Sequence, residues 1–154
     1  MDNNPKIVEK KLDLGGIGKN GEWTTINIVE PCDIVHDLNS FPYPFEDSSV
    51  NEVRINHVLE HLDNPKAVII EINRILKDGG SLTVKVPYGQ TKMKNPSHLH
   101  NFLPEWFTAF EKSNSPYNNK TIGGMFSSLF NMTTGKFRFW KPYEIIVYMQ
   151  KVEK

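Results

Sequence analysis

The sequence has very little cysteine. One thiol, Cys32, among 154 residues cannot build the paired framework of a disulfide scaffold. Net charge is missing too, because 18 Lys+Arg balance 18 Asp+Glu. A disordered chain would carry a large excess of one sign and fewer apolar residues than the 38% found here. No run approaches the ~20 apolar residues of a membrane span, and the opening MDNNPKIVEKK lacks the apolar stretch of a signal peptide. No repeat, low-complexity tract or linker divides the chain. The expectation is one domain over 1–154, cytoplasmic and away from membranes. A chain of that length buries roughly two-thirds of its unfolded surface.

The charge balance is uneven along the chain. Residues 1–90 carry nine basic and fourteen acidic side chains, and residues 91–154 carry nine basic and four acidic. The C-terminal basic residues are dispersed, as on a solvated surface. A nucleic-acid footprint is usually denser, so that partner is not expected.

Strands and turns follow from the patterning. Ile7 to Leu14 reads as a first strand, stopped by Gly15, Gly16, Gly18 and Gly21. Trp23 to Val29 is β-branched and reads as a second, and Asp33 to Leu38 as a short third. The loop NSFPYPFEDSS leads to an alternating strand, Val50 to Asn56. Pro65 suits the first turn of a helix whose buried face is Val68, Ile69, Ile72, Ile75 and Leu76. Lys77 and Gly79–Gly80 predict its stop, and Ser81 to Val86 a fifth strand. Beyond it, Leu103 to Phe110 reads as a short helix, and Met125 to Met132 and Tyr143 to Val152 as late strands. Strands alternating with crossovers predict a mostly parallel α/β sheet with an antiparallel C-terminal addition. Ligands of such sheets sit beyond the strand carboxyl ends. The stretch between Leu14 and Trp23 is too short for a full crossover helix, so the first helix is reduced or missing.

Four groups of residues bear on chemistry. LDLGGIG (Leu12 to Gly18) lets a ligand approach the backbone, although such a turn is equally often a plain loop. Asp37, ending strand three, can accept from an adenine amino group; alone it reads more simply as a solvated turn aspartate. HVLEH (His57 to His61) matches the H-x-x-E-H of inverted zinc proteases. That chemistry needs a helix through both histidines and a third ligand, and Asp63-Asn64-Pro65 interrupts any helix here. His98 and His100 lie in a polar loop, either as ordinary loop residues or as a general base, since imidazole titrates near neutral pH.

In their order these features form a pattern. The glycine turn, the acid after strand three, PYPFEDSSVNEV, NHVLEHL and EINRILKDGGSLTVKVP together resemble class I S-adenosylmethionine-dependent methyltransferases, the small branch with an LEH signature. The resemblance covers about residues 11–103 and is densest from Asp37 to Pro87. It implies a Rossmann-like sheet, with a cofactor half at about 7–87 and acceptor-side loops and strands at about 88–154. It also implies that Asp13, Leu14, Gly15, Gly16 and Gly18 cradle the methionine part of S-adenosylmethionine. Asp37 and Leu38 then contact adenine, and Asn56 and His57 line the reactive end.

The sequence departs from that pattern at two acids. Asn27, with Glu30 nearby, stands where the family has a ribose-binding acid, and Asn51 where strand four usually opens with aspartate. If Asn27 met the ribose, Asn27→Asp would tighten binding, because a carboxylate makes the stronger hydrogen bond. The leading reading is methyl transfer from S-adenosylmethionine to a small-molecule or glycan acceptor; the position of His98 and His100 after strand five makes one of them the expected base, with neither binding metal. Two alternatives stand beside it: a degenerate domain that binds cofactor weakly or serves in assembly, and, remotely, a zinc hydrolase.

Overall fold

A computed structural model describes residues 9–18, 21–88, 95–103, 106–107 and 144–151. Its core is β4 (Val50–Asn56), whose alternation buries Val50, Val53 and Ile55. β1 (Lys11–Leu14) lies parallel on one side of it and β5 (Leu76–Pro87) parallel on the other. β2 (Thr24–Asn27) and β3 (Ile34–Val35) extend the sheet beyond β1, both parallel. β6 (Glu144–Gln150) closes the far edge, antiparallel to β5 in continuous register from Ser81↔Gln150 to Pro87↔Glu144. The order is β3-β2-β1-β4-β5-β6. The strand order reverses between β1 and β4, and in open α/β sheets that switch point opens a crevice at the carboxyl ends.

The sheet is the mixed, mostly parallel one expected from the sequence, but its first three strands are shorter. The β1–β2 connection contains turns and bends in its described residues, with no helix. The links from β2 to β3 and from β3 to β4 are likewise helix-free. The long α-helix among the described residues is α1 (Pro65–Ile75), the β4–β5 crossover. Asn64 caps it by accepting the Ala67 amide at 3.1 Å, and Pro65 occupies the first turn. Its inner face, Val68, Ile69, Ile72 and Ile75, is fully buried. Each such side chain contributes about 1.5–3 kcal/mol of hydrophobic stabilisation.

The helix stop differs from expectation. α1 ends at Ile75, and Leu76 already has extended angles (φ −66°, ψ 138°). The chain passes directly into β5, whose register against β4 slips between Val50↔Leu76 and Glu52↔Ser81. Gly79, with φ +75°, belongs to that irregular entry rather than to a helix cap. At Gly80 a Cβ would lie 2.8 Å from the Lys77 carbonyl oxygen and 3.0 Å from that of Asn51, so the two backbones close on each other there.

Phe107, from the segment expected to be helical, and Phe102, just before it, are buried and in ring contact with each other and with Trp106. These aromatics pack on the chain's own core. The expected strand Met125–Met132 lies outside the described residues. No helix among the described residues is long and apolar enough to cross a membrane.

Candidate active site

A cavity of about 240 Å³ opens at the carboxyl ends of the first four strands. Its wall is built in chain order: Gly15 after β1, Asn27 and Ile28 at the end of β2, Asp37, Leu38 and Asn39 after β3, then His57, Val58, His61 and Leu62 after β4. Four loops separated by up to 47 positions converge there because parallel strands deliver all their carboxyl ends to one edge.

Each loop is held from within. The Gly15 amide donates to the Ile26 carbonyl at 2.7 Å, which turns the chain away from β1. Its φ of +81° suits glycine, and a Cβ there would sit 2.2 Å from Val58 Cγ2. The space a side chain would fill is therefore taken by Val58. Beneath the turn, a Gly16 Cβ would lie 2.6 Å from Asp13 Oδ2. That oxygen accepts from Arg54 Nη2 at 2.7 Å, and the guanidinium stacks 4.2 Å over Trp23. The hydrogen bond to Asp13 is the main cause that holds the Arg54 pKa above its ordinary value, against the opposing effect of burial. Asp13, Leu14, Gly16 and Gly18 thus support the turn without lining the cavity.

Asn27 lines the cavity, but its amide is committed elsewhere. Nδ2 donates to the carbonyls of Gly15 (3.1 Å) and Gly16 (3.3 Å), and Oδ1 accepts the amides of Ile28 (2.7 Å) and Val29 (3.4 Å). Both donors and both acceptor positions are used. The residue ties the glycine turn to the end of β2, so the ribose role and the gain expected from Asn27→Asp do not follow. Glu30 is exposed and outside the wall. Asn51 is remote as well. Its Oδ1 accepts from the Lys10 amide (3.1 Å) and Lys77 Nζ (3.0 Å) at the start of β4, the opposite end of the strand.

Asp37 uses Oδ1 to accept the Asn39 amide at 2.9 Å. Its neighbour Leu38 is buried, and the Leu38 carbonyl accepts from Tyr43 Oη at 2.9 Å. Burial, then the charges of Glu71 and Asp37, push the Tyr43 hydroxyl well above its ordinary pKa. Tyr43 is fixed in turn by α1: Glu71 Oε1 accepts the Tyr43 amide and Arg74 Nη2, each at 2.6 Å. Arg74 also reaches Asp47 Oδ1 (2.6 Å) and the carbonyls of Phe45 and Tyr43. The hydrogen bond from Arg74 is the main reason the Glu71 carboxyl lies below its ordinary value. A helix with no residue on the wall thereby sets the aspartate loop.

His57 projects from the end of β4 with φ +53°, an unusual conformation for a side-chain-bearing residue. Its Nε2 lies 2.5 Å from Glu144 Oε1 of β6, and Nδ1 lies 3.6 Å from Glu60 Oε1. Asn56 precedes it, with a buried side-chain oxygen that has no hydrogen-bond partner among the described residues. The zinc-protease arrangement is not built: Leu59–His61 form a single 3-10 turn, which does not put His57 and His61 on one helical face.

His98 and His100 do not line the cavity. His100 Nε2 lies 2.9 Å from the Leu62 carbonyl oxygen, and the amides of Leu99 and His100 donate to the Glu60 carbonyl, docking the loop on the LEH turn. His98 instead meets His61 edge to face at 4.8 Å. The imidazoles on the wall are His57 and His61. Sequence reasoning misses Glu60, His61 and Glu144 as site residues; only the H-x-x-E-H spacing points to the first two, and nothing local marks Glu144.

Residues 21–84 match the family described as a methyltransferase domain. The fold is similar to that of a Bacillus halodurans protein assigned as a methyltransferase (TM-score 0.63, 14% identity, 94% of this chain and 93% of that one). It is similar also to an S-adenosylmethionine-dependent methyltransferase from Archaeoglobus fulgidus (TM-score 0.60, 15% identity, 93% and 86%). A third likeness is to geranyl diphosphate methyltransferase in complex with S-adenosylmethionine (TM-score 0.59, 11% identity, 94% and 79%). No curated protein matches the chain in sequence. The chain shares its fold with these methyltransferases. Its segment from the approach to β2 into β5 matches the methyltransferase-domain family.

Proposed function

We propose that the protein binds S-adenosylmethionine in the cavity at the β1–β4 carboxyl ends and transfers its methyl group to a small-molecule or glycan acceptor. One observation carries this reading. Gly15, Asp37, Leu38 and His57, each assigned to the cofactor by family resemblance, come from three separate loops and meet on one wall.

The residues fit the cofactor at its adenine end. Among the described residues Asp37 keeps one carboxylate oxygen beyond its bond to Asn39, and Leu38 and Leu62 offer apolar surface for a ring. The Gly15 turn brings backbone to the cavity edge. Near the ribose, Asn27 acts through the loop it ties rather than through a free amide. When bound, the cofactor supplies an electrophilic methyl group on a sulfonium, so positioning is most of what the protein must add. His57, oriented by Glu144, is placed to take a proton from an acceptor hydroxyl or amine. The acceptor enters past β5, over the loop that carries His98 and His100.

The saturated Asn27 favours a second reading, a domain that binds the cofactor without turnover. Transfer of labelled methyl from S-adenosylmethionine to a panel of sugars and small hydroxy and amino compounds separates the two. Label in at least one acceptor supports methyl transfer, whereas cofactor binding with no label moved across the panel supports the second reading.

A further inference from the structure

Beside the cavity wall, Glu60, His61 and His98 place one carboxylate oxygen and two imidazole nitrogens within 4.8 Å of one another. Three features make this more than a chance cluster.

The first is Glu60 itself. Its side chain is 1% exposed, and Oε2 has no hydrogen-bond partner among the described residues. Oε1 faces His57 Nδ1 at 3.6 Å and His61 Nε2 at 3.9 Å, both beyond hydrogen-bond length. A buried carboxylate oxygen without a hydrogen bond is costly, and a bound cation removes that cost.

The second is the tautomer of His61. Its Nδ1 lies 3.0 Å from the Ser97 carbonyl oxygen, which can only accept. Nδ1 therefore carries a proton, and in the neutral imidazole Nε2 keeps its lone pair, 3.9 Å from Glu60 Oε1. This carbonyl–imidazole arrangement is the one that orients metal-bound histidines.

The third is the loop that supplies His98. The Leu99 and His100 amides fasten it to the carbonyl of Glu60, at 2.8 and 3.2 Å, so ligands distant in sequence are held together by backbone.

We propose that Glu60, His61 and His98 form a binding site for a first-row divalent transition ion. Two imidazoles and one carboxylate suit zinc, cobalt or iron, whereas calcium and magnesium prefer oxygen-only shells. Ligand atoms around such an ion stand about 3.5 Å apart at bond lengths near 2.1 Å. The cluster reaches that spacing by side-chain rotations of about an ångström. Because His61 also belongs to the cavity wall, the ion fastens the 95–100 loop next to the acceptor entrance.

The test uses the full chain without a histidine tag, at neutral pH, with Zn²⁺ in equilibrium dialysis and Co²⁺ followed by its visible absorption. Wild type is expected to take up one ion per chain, and His98→Ala and Glu60→Gln to lose stoichiometric uptake. His36→Ala, a histidine remote from the cluster, should retain it. Glu60 is buried and its variant can fail to fold, so His98→Ala, on a surface loop, is the deciding variant, with its melting curve measured without metal. No uptake by wild type, or uptake unchanged in His98→Ala, overturns the proposal.

Discussion

Asn27 Nδ2 stands 3.1 Å from the carbonyl oxygen of Gly15, and this bond joins the first two strand ends of the sheet where the cavity opens. An amide is the one side chain of its size that can donate to the Gly15 and Gly16 carbonyls and accept the Ile28 amide at the same time. The position that looks like a weakened ribose contact in the sequence is a clasp in the fold. Asn27→Asp would set a carboxylate against two carbonyl oxygens. S-adenosylhomocysteine binding should fall, and stability should drop by about 1–3 kcal/mol, the cost of unpaired buried polar groups. Chemical denaturation and calorimetry on the variant check both. Tighter binding would mean that the amide is free to meet the ribose after all.

In the proposed site the adenine contact falls to Asp37, which lines the cavity. Asp37→Ala should weaken S-adenosylhomocysteine binding by about 1–3 kcal/mol, the cost of leaving a buried ligand donor without its acceptor. Isothermal titration of the variant reads this directly, and unchanged affinity would remove Asp37 from the site.

The Glu71–Arg74 pair predicts a stability profile in acid. The Glu71 carboxyl lies below its ordinary 4.5, chiefly through the hydrogen bond from Arg74. A depressed carboxyl stabilises the fold fully above its unfolded value, and that stabilisation fades as pH falls through the lower folded value. Glu71→Gln should therefore cost about 2 kcal/mol at pH 7, typical of a charge-assisted bond. It should cost progressively less as the solution is taken to about pH 3. Melting curves of wild type and variant across that range should converge at the acid end. Curves that stay parallel would show that the pair contributes nothing that depends on ionisation.

His57 is the cavity imidazole with a carboxylate partner in β6. His57→Ala should lower methyl transfer by ~10²–10⁴, the usual contribution of a positioned base. Its affinity for S-adenosylhomocysteine should change far less. Steady-state kinetics with an identified acceptor read the difference. Wild-type turnover in the variant would mean that positioning alone drives the reaction.

Much of this fold is legible in the sequence because its signals are local. β4 alternates, α1 carries one apolar stripe, and the short stretch after Leu14 announces a missing helix. The helix end is not legible, since Gly79 and Gly80 resemble a helix stop, whereas Gly79 turns the irregular entry to β5 and Gly80 lets β5 close on β4. In the site, the order of motifs points to Gly15, Asp37, Leu38 and His57. Asn27 and Asn51 mislead because sequence position does not say whether an amide's donors are spent. The docking of the His98–His100 loop on Glu60 is not legible, because it is a backbone event that no side-chain pattern encodes. Glu144 reaches His57 across 87 positions, through the antiparallel pairing of β6 with β5.

Above all, the wall formed by Gly15, Asp37, Leu38 and His57 is read as a cofactor site. Isothermal titration of the full chain with S-adenosylhomocysteine tests that most directly. The expected result is saturable binding of one molecule per chain, weakened about tenfold to a hundredfold in Asp37→Ala, as 1–3 kcal/mol implies. No binding by well-folded wild type, or binding that Asp37→Ala leaves untouched, would contradict it.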